Sequence, residues 1–156
     1  MEDGFAAQAL PRQWEFTAPV PLGHSLDGLL GIEVSERRAG YLRARMLVRD
    51  AVRHPMGWVH GGAYSALAQM LASAGTLDGV SGLGKTAFVI SNDTEVLEPV
   101  SGGTIEAVAR ITHQGDESWF WEVRMSTGGE TCALCRVRVA VGSPGELGVE
   151  AALPGE

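Results

Sequence analysis

Positive charge is scarce in this sequence. Twelve Lys and Arg stand against nineteen Asp and Glu, leaving the 156-residue chain at −7, the wrong sign for neutralising many phosphates of a duplex. Nucleic acid is therefore not an expected partner. Long apolar runs are missing as well. From Pro55 to Leu77 there is no formal charge, but the run is interrupted by Gly57, His60, Gly61, Gly62, Ser65, Gln69, Ser73 and Gly75. It reads as a segment buried inside protein and not as a bilayer span, so no membrane partner is expected. Met1-Glu2-Asp3-Gly4 offers neither the positive n-region nor the apolar h-region of a signal peptide, and a cytoplasmic location is expected. Proline is limited to 7 residues, and 45% hydrophobic with 20% charged residues is the composition of a chain that folds. The length suits one domain with tails.

Cysteine is nearly absent, and Cys132 and Cys135 are the only two. Their C-x-x-C spacing invites a redox or zinc reading. The surrounding Thr131 to Val141 reads as a strand, however, in which side chains three apart diverge, and no second pair completes four metal ligands. They are expected to be ordinary, partly buried cysteines, and neither a metal nor a cofactor is expected.

Periodicity supplies the organisation. Residues 1–18 have mixed polarity and read as a tail or docking arm, and residues 143–156, rich in Gly and Pro, as a flexible C-terminal tail. Between them, residues 19–142 form the expected domain. Ile32 to Ser35 and Tyr41 to Val48 are extended runs around a turn composition, an opening hairpin. Tyr64, Leu67, Leu71 and Ala74 then recur at spacings of three and four. This predicts one helix, beginning after Gly61-Gly62, stopping near Gly75 and ringed by small residues as a central helix must be. From Thr86 the period becomes two through Thr86 to Leu97, Gly103 to His113, Ser118 to Thr127 and Thr131 to Val141. The short connections predict a four-strand antiparallel meander. A curved antiparallel sheet wrapped around one long helix is the α+β architecture called the hotdog fold. Trp119 and Trp121 share one strand face, so they are read as sheet packing and not as a stacking platform for a base.

The helix carries Trp58-Val59-His60-Gly61-Gly62-Ala63-Tyr64-Ser65-Ala66-Leu67-Ala68-Gln69-Met70-Leu71-Ala72-Ser73. This segment resembles the H-G-G helix of the hotdog acyl-CoA thioesterases, most closely those of the Arthrobacter 4-hydroxybenzoyl-CoA type. Leu26-Asp27-Gly28, Leu97-Glu98-Pro99-Val100 and Trp119-Phe120-Trp121-Glu122-Val123 extend the likeness over about Ser25 to Val141. The residues agree with it physically. Gly61 and Gly62 leave unshielded N–H groups at the positive end of a helix, where a thioester oxygen gaining charge would be stabilised. The alternative is a tight turn feeding the helix. Gln69 lies eight residues beyond Gly61, a rise of about 12 Å, so one carbonyl group cannot touch both residues of one chain. The resemblance implies the same: an active site at a dimer interface, in a homodimer or homotetramer, with the oxyanion glycine from one subunit and the catalytic carboxylate from the other. Ser73 shares the face of Gln69.

Several positions depart from the family. The resemblance implies Glu or Asp at position 69, as nucleophile or general base, and an amide is neither. Either Gln69 replaces a parental glutamate, or this is a homologue with other chemistry. His54 stands where relatives carry Gln or Asn to polarise the carbonyl. It would donate a hydrogen bond or act as a base, unless it is a loop histidine before Pro55. His60 is expected to hold the loop before the helix, beside Gly62 at the substrate site. Asp27 matches an aspartate that accepts the 4-hydroxyl of a benzoyl ring, or else caps a short helix. Glu98, Asp116 and Glu117 occupy positions where relatives contact the CoA phosphates, although carboxylates repel phosphate. The expected ligand is a small-molecule acyl thioester carried by CoA, and the expected activity hydrolysis of an aromatic acyl-CoA. The alternatives are an acyl-thioester binding protein without turnover, or a lyase-type hotdog enzyme acting on another ligand.

Overall fold

The computed structural model describes residues 20–149. The arm expected at 1–18 and the tail from 150 onward lie outside the described residues. A short helix α1 (Leu26–Leu30) begins at Ser25, whose side chain accepts from Gly28 N at 3.2 Å. Strands β1 (Ile32–Arg38) and β2 (Tyr41–Leu47) form the opening hairpin. Helix α2 (Gly61–Val80) follows, then β3 (Thr86–Val96), β4 (Thr104–Gln114), β5 (Ser118–Thr127) and β6 (Glu130–Gly142). Among the described residues all strand pairings are antiparallel, in one six-stranded sheet of order β1-β2-β4-β5-β6-β3. The sheet curves around α2, which is the hotdog arrangement read from the sequence. Residues 143–149 close a turn in which Leu147 N donates to Ser143 O and Val149 N to Pro144 O.

The core lies between the sheet and one face of the helix. Ala63, Tyr64, Leu67, Ala68, Leu71 and Ala72 are buried against Leu42, Ile105, Trp121, Val123 and Val137. Alternation along β5 puts Trp119 and Trp121 inside and leaves Phe120 outside, as packing requires.

Three expectations are corrected. The strands after the helix do not form a four-strand meander: β4, β5 and β6 do, but β3 pairs with β6 at the far edge. The connection after β3 is no hairpin because its backbone bonds elsewhere. Leu97 N and Glu98 N donate to Cys132 O, Val59 N to Val100 O and Val48 N to Gly103 O. Second, α2 does not stop near Gly75 but runs to Val80. Gly75 and Gly79 are packing glycines: a Cβ at Gly75 would lie 2.5 Å from Cη2 of Trp121, and one at Gly79 2.3 Å from Cη2 of Trp119. Third, Cys132 and Cys135 are both fully buried. A bulge in β6, where Ser126 faces Thr131 but Met125 faces Ala133, resets the alternation at Cys132. The Cys132 thiol then lies 3.8 Å from the Tyr64 hydroxyl, and Cys135 lies 3.3 Å from Thr94 Oγ1. Burial pushes both thiols up, toward the unreactive neutral form.

Candidate active site

Helix α2 has a second face. While one side enters the core, Ser65, Gln69 and Ser73 succeed one another at four-residue spacing on the other, with Ala66, Met70 and Ala74 beside them. They line an open groove of about 630 Å³ together with Leu26 and Asp27 of α1, Leu77 toward the far end of the helix, Asn92 of β3, and Gly62 at the helix start. Four of the residues singled out from the sequence, Asp27, Gly62, Gln69 and Ser73, thus share one groove. Among the described residues Asp27 is its one formally charged side chain, and burial raises its pKa above the ordinary carboxylate value. It does not cap α1, because Ser25 does.

Sequence reasoning missed Ser65 and Asn92. Asn92 Nδ2 donates to Ser65 O at 2.9 Å, Thr94 Oγ1 donates to Asn92 Oδ1 at 3.0 Å, and the Ser65 and Thr94 hydroxyls are 2.7 Å apart. This network ties the groove wall on β3 to the helix. Ser65 was findable as the residue one turn before Gln69, and Asn92 as part of a polar run, Ser91-Asn92-Asp93-Thr94, inside an apolar strand.

The helix start forms the other half of the site. His60 is the N-cap of α2, with Nδ1 accepting from Gly62 N at 2.8 Å, and Ala63 N donates to His60 O at 2.9 Å. Among the described residues Gly61 N has no acceptor, so it is the amide left over at the positive end of the dipole. His54 lies alongside, its ring centroid 5.6 Å from that of His60, with Nδ1 accepting from Met56 N at 3.1 Å.

The acidic positions are not brought together within one copy of the chain. Glu98 is exposed on the connection after β3, near the start of α2, where a Cβ on Gly61 would lie 3.8 Å from Val96. Asp116 and Glu117 are exposed on the β4–β5 turn, beside Trp119 and hence toward the other end of the helix at Gly79. Among the described residues no three His, Cys, Asp or Glu side chains form a metal-binding group. No helix among them is long and apolar enough to cross a membrane.

Comparison with known proteins adds the following. The profile of the Thioesterase superfamily matches residues 56–133, half of the chain, including the helix with His60, Gly61, Gly62 and Gln69. The chain is 35% identical to the proofreading thioesterase EntH of Klebsiella pneumoniae, over 72% of this chain and 82% of that protein. A mutant thioesterase of Pseudomonas aeruginosa superposes with a TM-score of 0.73 at 29% identity, covering 77% of this chain and 87% of the other. A thioesterase of Haemophilus influenzae gives 0.70 at 28% identity, covering 78% and 85%.

Proposed function

The chain belongs to the thioesterase superfamily, and on that premise we propose that it binds an aromatic acyl thioester of the 4-hydroxybenzoyl-CoA kind in the groove along α2 and hydrolyses it slowly. The observation that carries this reading is the Gly61 amide, without an acceptor among the described residues, at the start of the helix whose groove holds Gly62, Gln69 and Ser73 together with Asp27. The amide would receive the charge that the thioester oxygen gains on attack. Gln69 would hold water or the acyl carbonyl by hydrogen bonding, with Ser73 beside it, and Asp27 would accept a hydroxyl at the far end of the acyl group. A carboxylate in a partly dry groove favours a substrate that supplies a donor over one that leaves it without a partner.

Because Gly61 and Gln69 are about 12 Å apart along the helix, the complete site takes Gly61 from one copy and Gln69 from a second. The edge strand β3, with Phe88, Ile90 and Val96 about half exposed, is the surface through which the copies would pair. Pairing is also the route by which Glu98 of one copy and Asp116 and Glu117 of the other would approach one nucleotide. Their charge would make the hold on CoA phosphates weak.

A second reading, a protein that retains an acyl thioester without turnover, is favoured by Gln69 itself, since an amide is neither base nor nucleophile at neutral pH. One experiment separates the two. Thiol release from 4-hydroxybenzoyl-CoA is measured for the protein and for Gln69→Glu, with binding followed in parallel. Slow release that rises by roughly 10² to 10⁴ with Glu supports a thioesterase lacking its carboxylate. Binding without release in either form supports retention. Absence of both binding and release ends the aromatic-CoA reading.

A further inference from the structure

The outer face of the sheet, turned away from the core, carries a hollow that shares no residue with the groove along α2. Cross-strand register puts His113, Phe120, Arg138 and Ser91 in one row over β4, β5, β6 and β3. Both flanking strands bulge at this row. Thr112 is the extra residue between Ile111 and His113 on β4, and Ile90 the extra residue between Val89 and Ser91 on β3. A bulge bends its strand and sharpens the local twist. Between the two bends lies a cavity of about 340 Å³, whose lining includes Ser91, Asp93, Thr112, Phe120, Glu122 and Arg138.

The arginines around this hollow are not equally committed. Arg136 lies 3.0 Å from Glu95 and 3.9 Å from Asp93, while Glu122 lies 3.6 Å from Arg124. Arg138, by contrast, has no carboxylate within 4 Å among the described residues. Its guanidinium sits 5.6 Å over the Phe120 ring, a cation–π contact that consumes none of its N–H donors. Phe120 is 38% exposed, and the His113 ring meets it edge-on at 5.7 Å. Thr112 Oγ1 donates to Phe120 O at 3.2 Å, which ties the bulge to β5.

The chemistry of a ligand follows from charge and size. Asp93 and Glu122 balance Arg136 and Arg138 in the lining, so the hollow offers no net attraction to a phosphate dianion or a polyphosphate. A monoanion needs only the one uncommitted guanidinium, whose planar fork matches a carboxylate. Small-molecule pockets run from about 300 to 1,000 Å³, and this one, at the lower end, has room for a single ring. We propose that the hollow is a binding site for a small aromatic carboxylate, with the carboxylate on Arg138 and the ring against Phe120. The Ser91 hydroxyl is placed to meet a polar substituent on that ring. The site stands independently of the thioester groove, although one strand serves both: Ser91 and Asp93 line the hollow, and Asn92 between them lines the groove.

The test titrates benzoate into the full-length, ¹⁵N-labelled protein and follows the backbone amides. Saturable shifts at Ser91, Thr112, Phe120 and Arg138 are expected. Shifts confined to Leu26, Gln69 and Ser73 place the acid in the groove alone and overturn the proposal. Arg138 is exposed, so its variants should fold. Arg138→Gln is expected to weaken binding at the hollow by about tenfold or more, the worth of a charge-assisted hydrogen bond, and Arg138→Lys to recover part of the loss. Equal affinity in Arg138→Gln overturns the carboxylate contact. Cyclohexanecarboxylate, with the same charge and no aromatic face, should bind more weakly than benzoate, and inorganic phosphate should not displace benzoate. Displacement by phosphate at matching concentration shows a general anion site and overturns the aromatic assignment. Sedimentation supplies the last readout. An unchanged mass is expected in Arg138→Gln and Phe120→Ala. A smaller oligomer in these variants, with no benzoate shifts in the unaltered protein, shows that a second copy covers the hollow and overturns the proposal.

Discussion

Position 69 lies between two hydroxyl residues of the same helical row, Ser65 and Ser73, and lines the same groove as Asp27. An amide there costs the groove no charge, which leaves Asp27 as its one carboxylate among the described residues. The two acids would interact in Gln69→Glu, each disfavouring ionisation of the other. Asp27 already carries a burial-raised pKa, and the sign of its effect on stability follows. A carboxyl group that holds its proton more tightly when folded leaves stability untouched below its unfolded value. It subtracts stability as pH rises through the ordinary carboxylate range to the raised value. Asp27→Asn is therefore expected to melt close to the unaltered protein at pH 3 and above it at pH 7. A thermal melt series across that range checks this, and a gap that shrinks with rising pH contradicts it. The same variant should discriminate less between 4-hydroxybenzoyl-CoA and benzoyl-CoA. Of the groove, Gln69 and Ser73 were legible because helical spacing puts them on one face, and Asp27 because the resemblance to the family pointed to it. Asn92 stood out only as part of a polar run, and its place in the groove was not legible because nothing in a single strand's sequence says which helix residue it will meet.

Helix α2 shows how far local pattern reaches. Its buried set, recurring in pairs every four residues, was legible as a central helix, but its end was not. Glycine is ordinarily a helix breaker, and only the facing rings explain Gly75 and Gly79. Trp121 also donates from Nε1 to the buried Thr76 Oγ1 at 2.9 Å, fixing the ring where it excludes a Cβ. Two magnitudes oppose each other at Gly75. Alanine is the better helix former by about 1 kcal/mol, while forcing a methyl group against Trp121 and Leu42, at 2.5 and 2.6 Å, is overpacking at typically 1–3 kcal/mol. Strain wins at a site sealed by an anchored tryptophan. Gly75→Ala is expected to destabilise by roughly 1–2 kcal/mol in chemical denaturation. Gly82→Ala, with nothing within 4 Å of its Cβ, should be neutral or slightly stabilising. The reverse order would show that the tryptophan yields easily. The misplacement of β3 has a related cause: alternation identifies a strand but not its partner, and the bonds that carry residues 97–103 past the helix start are long-range.

At the scale of the molecule the two edges of the sheet are unlike. Strand β1 carries Glu33, Glu36, Arg37 and Arg38 within seven residues, charges that discourage pairing with another chain. Strand β3 instead exposes Phe88 by 53%, Ile90 by 47% and Val96 by 47%. An apolar edge left in water invites aggregation, so a second copy across β3 would satisfy both this edge and the distance between Gly61 and Gln69. Lysine in place of Phe88 and Ile90 tests both at once. Each side chain is half exposed in the single chain, so the fold should survive, with far-UV circular dichroism unchanged. In a symmetric pair the new charges would face their own copies, and like-charge juxtaposition costs several kcal/mol. The double variant is expected to sediment as a monomer at micromolar concentration and, if the site is built from two copies as proposed, to lose thiol release from 4-hydroxybenzoyl-CoA. A persistent dimer would move the interface away from β3. A monomer that still hydrolysed at the original rate would place the whole reaction within one copy, where the Gly61 amide and the Gln69 side chain do not meet.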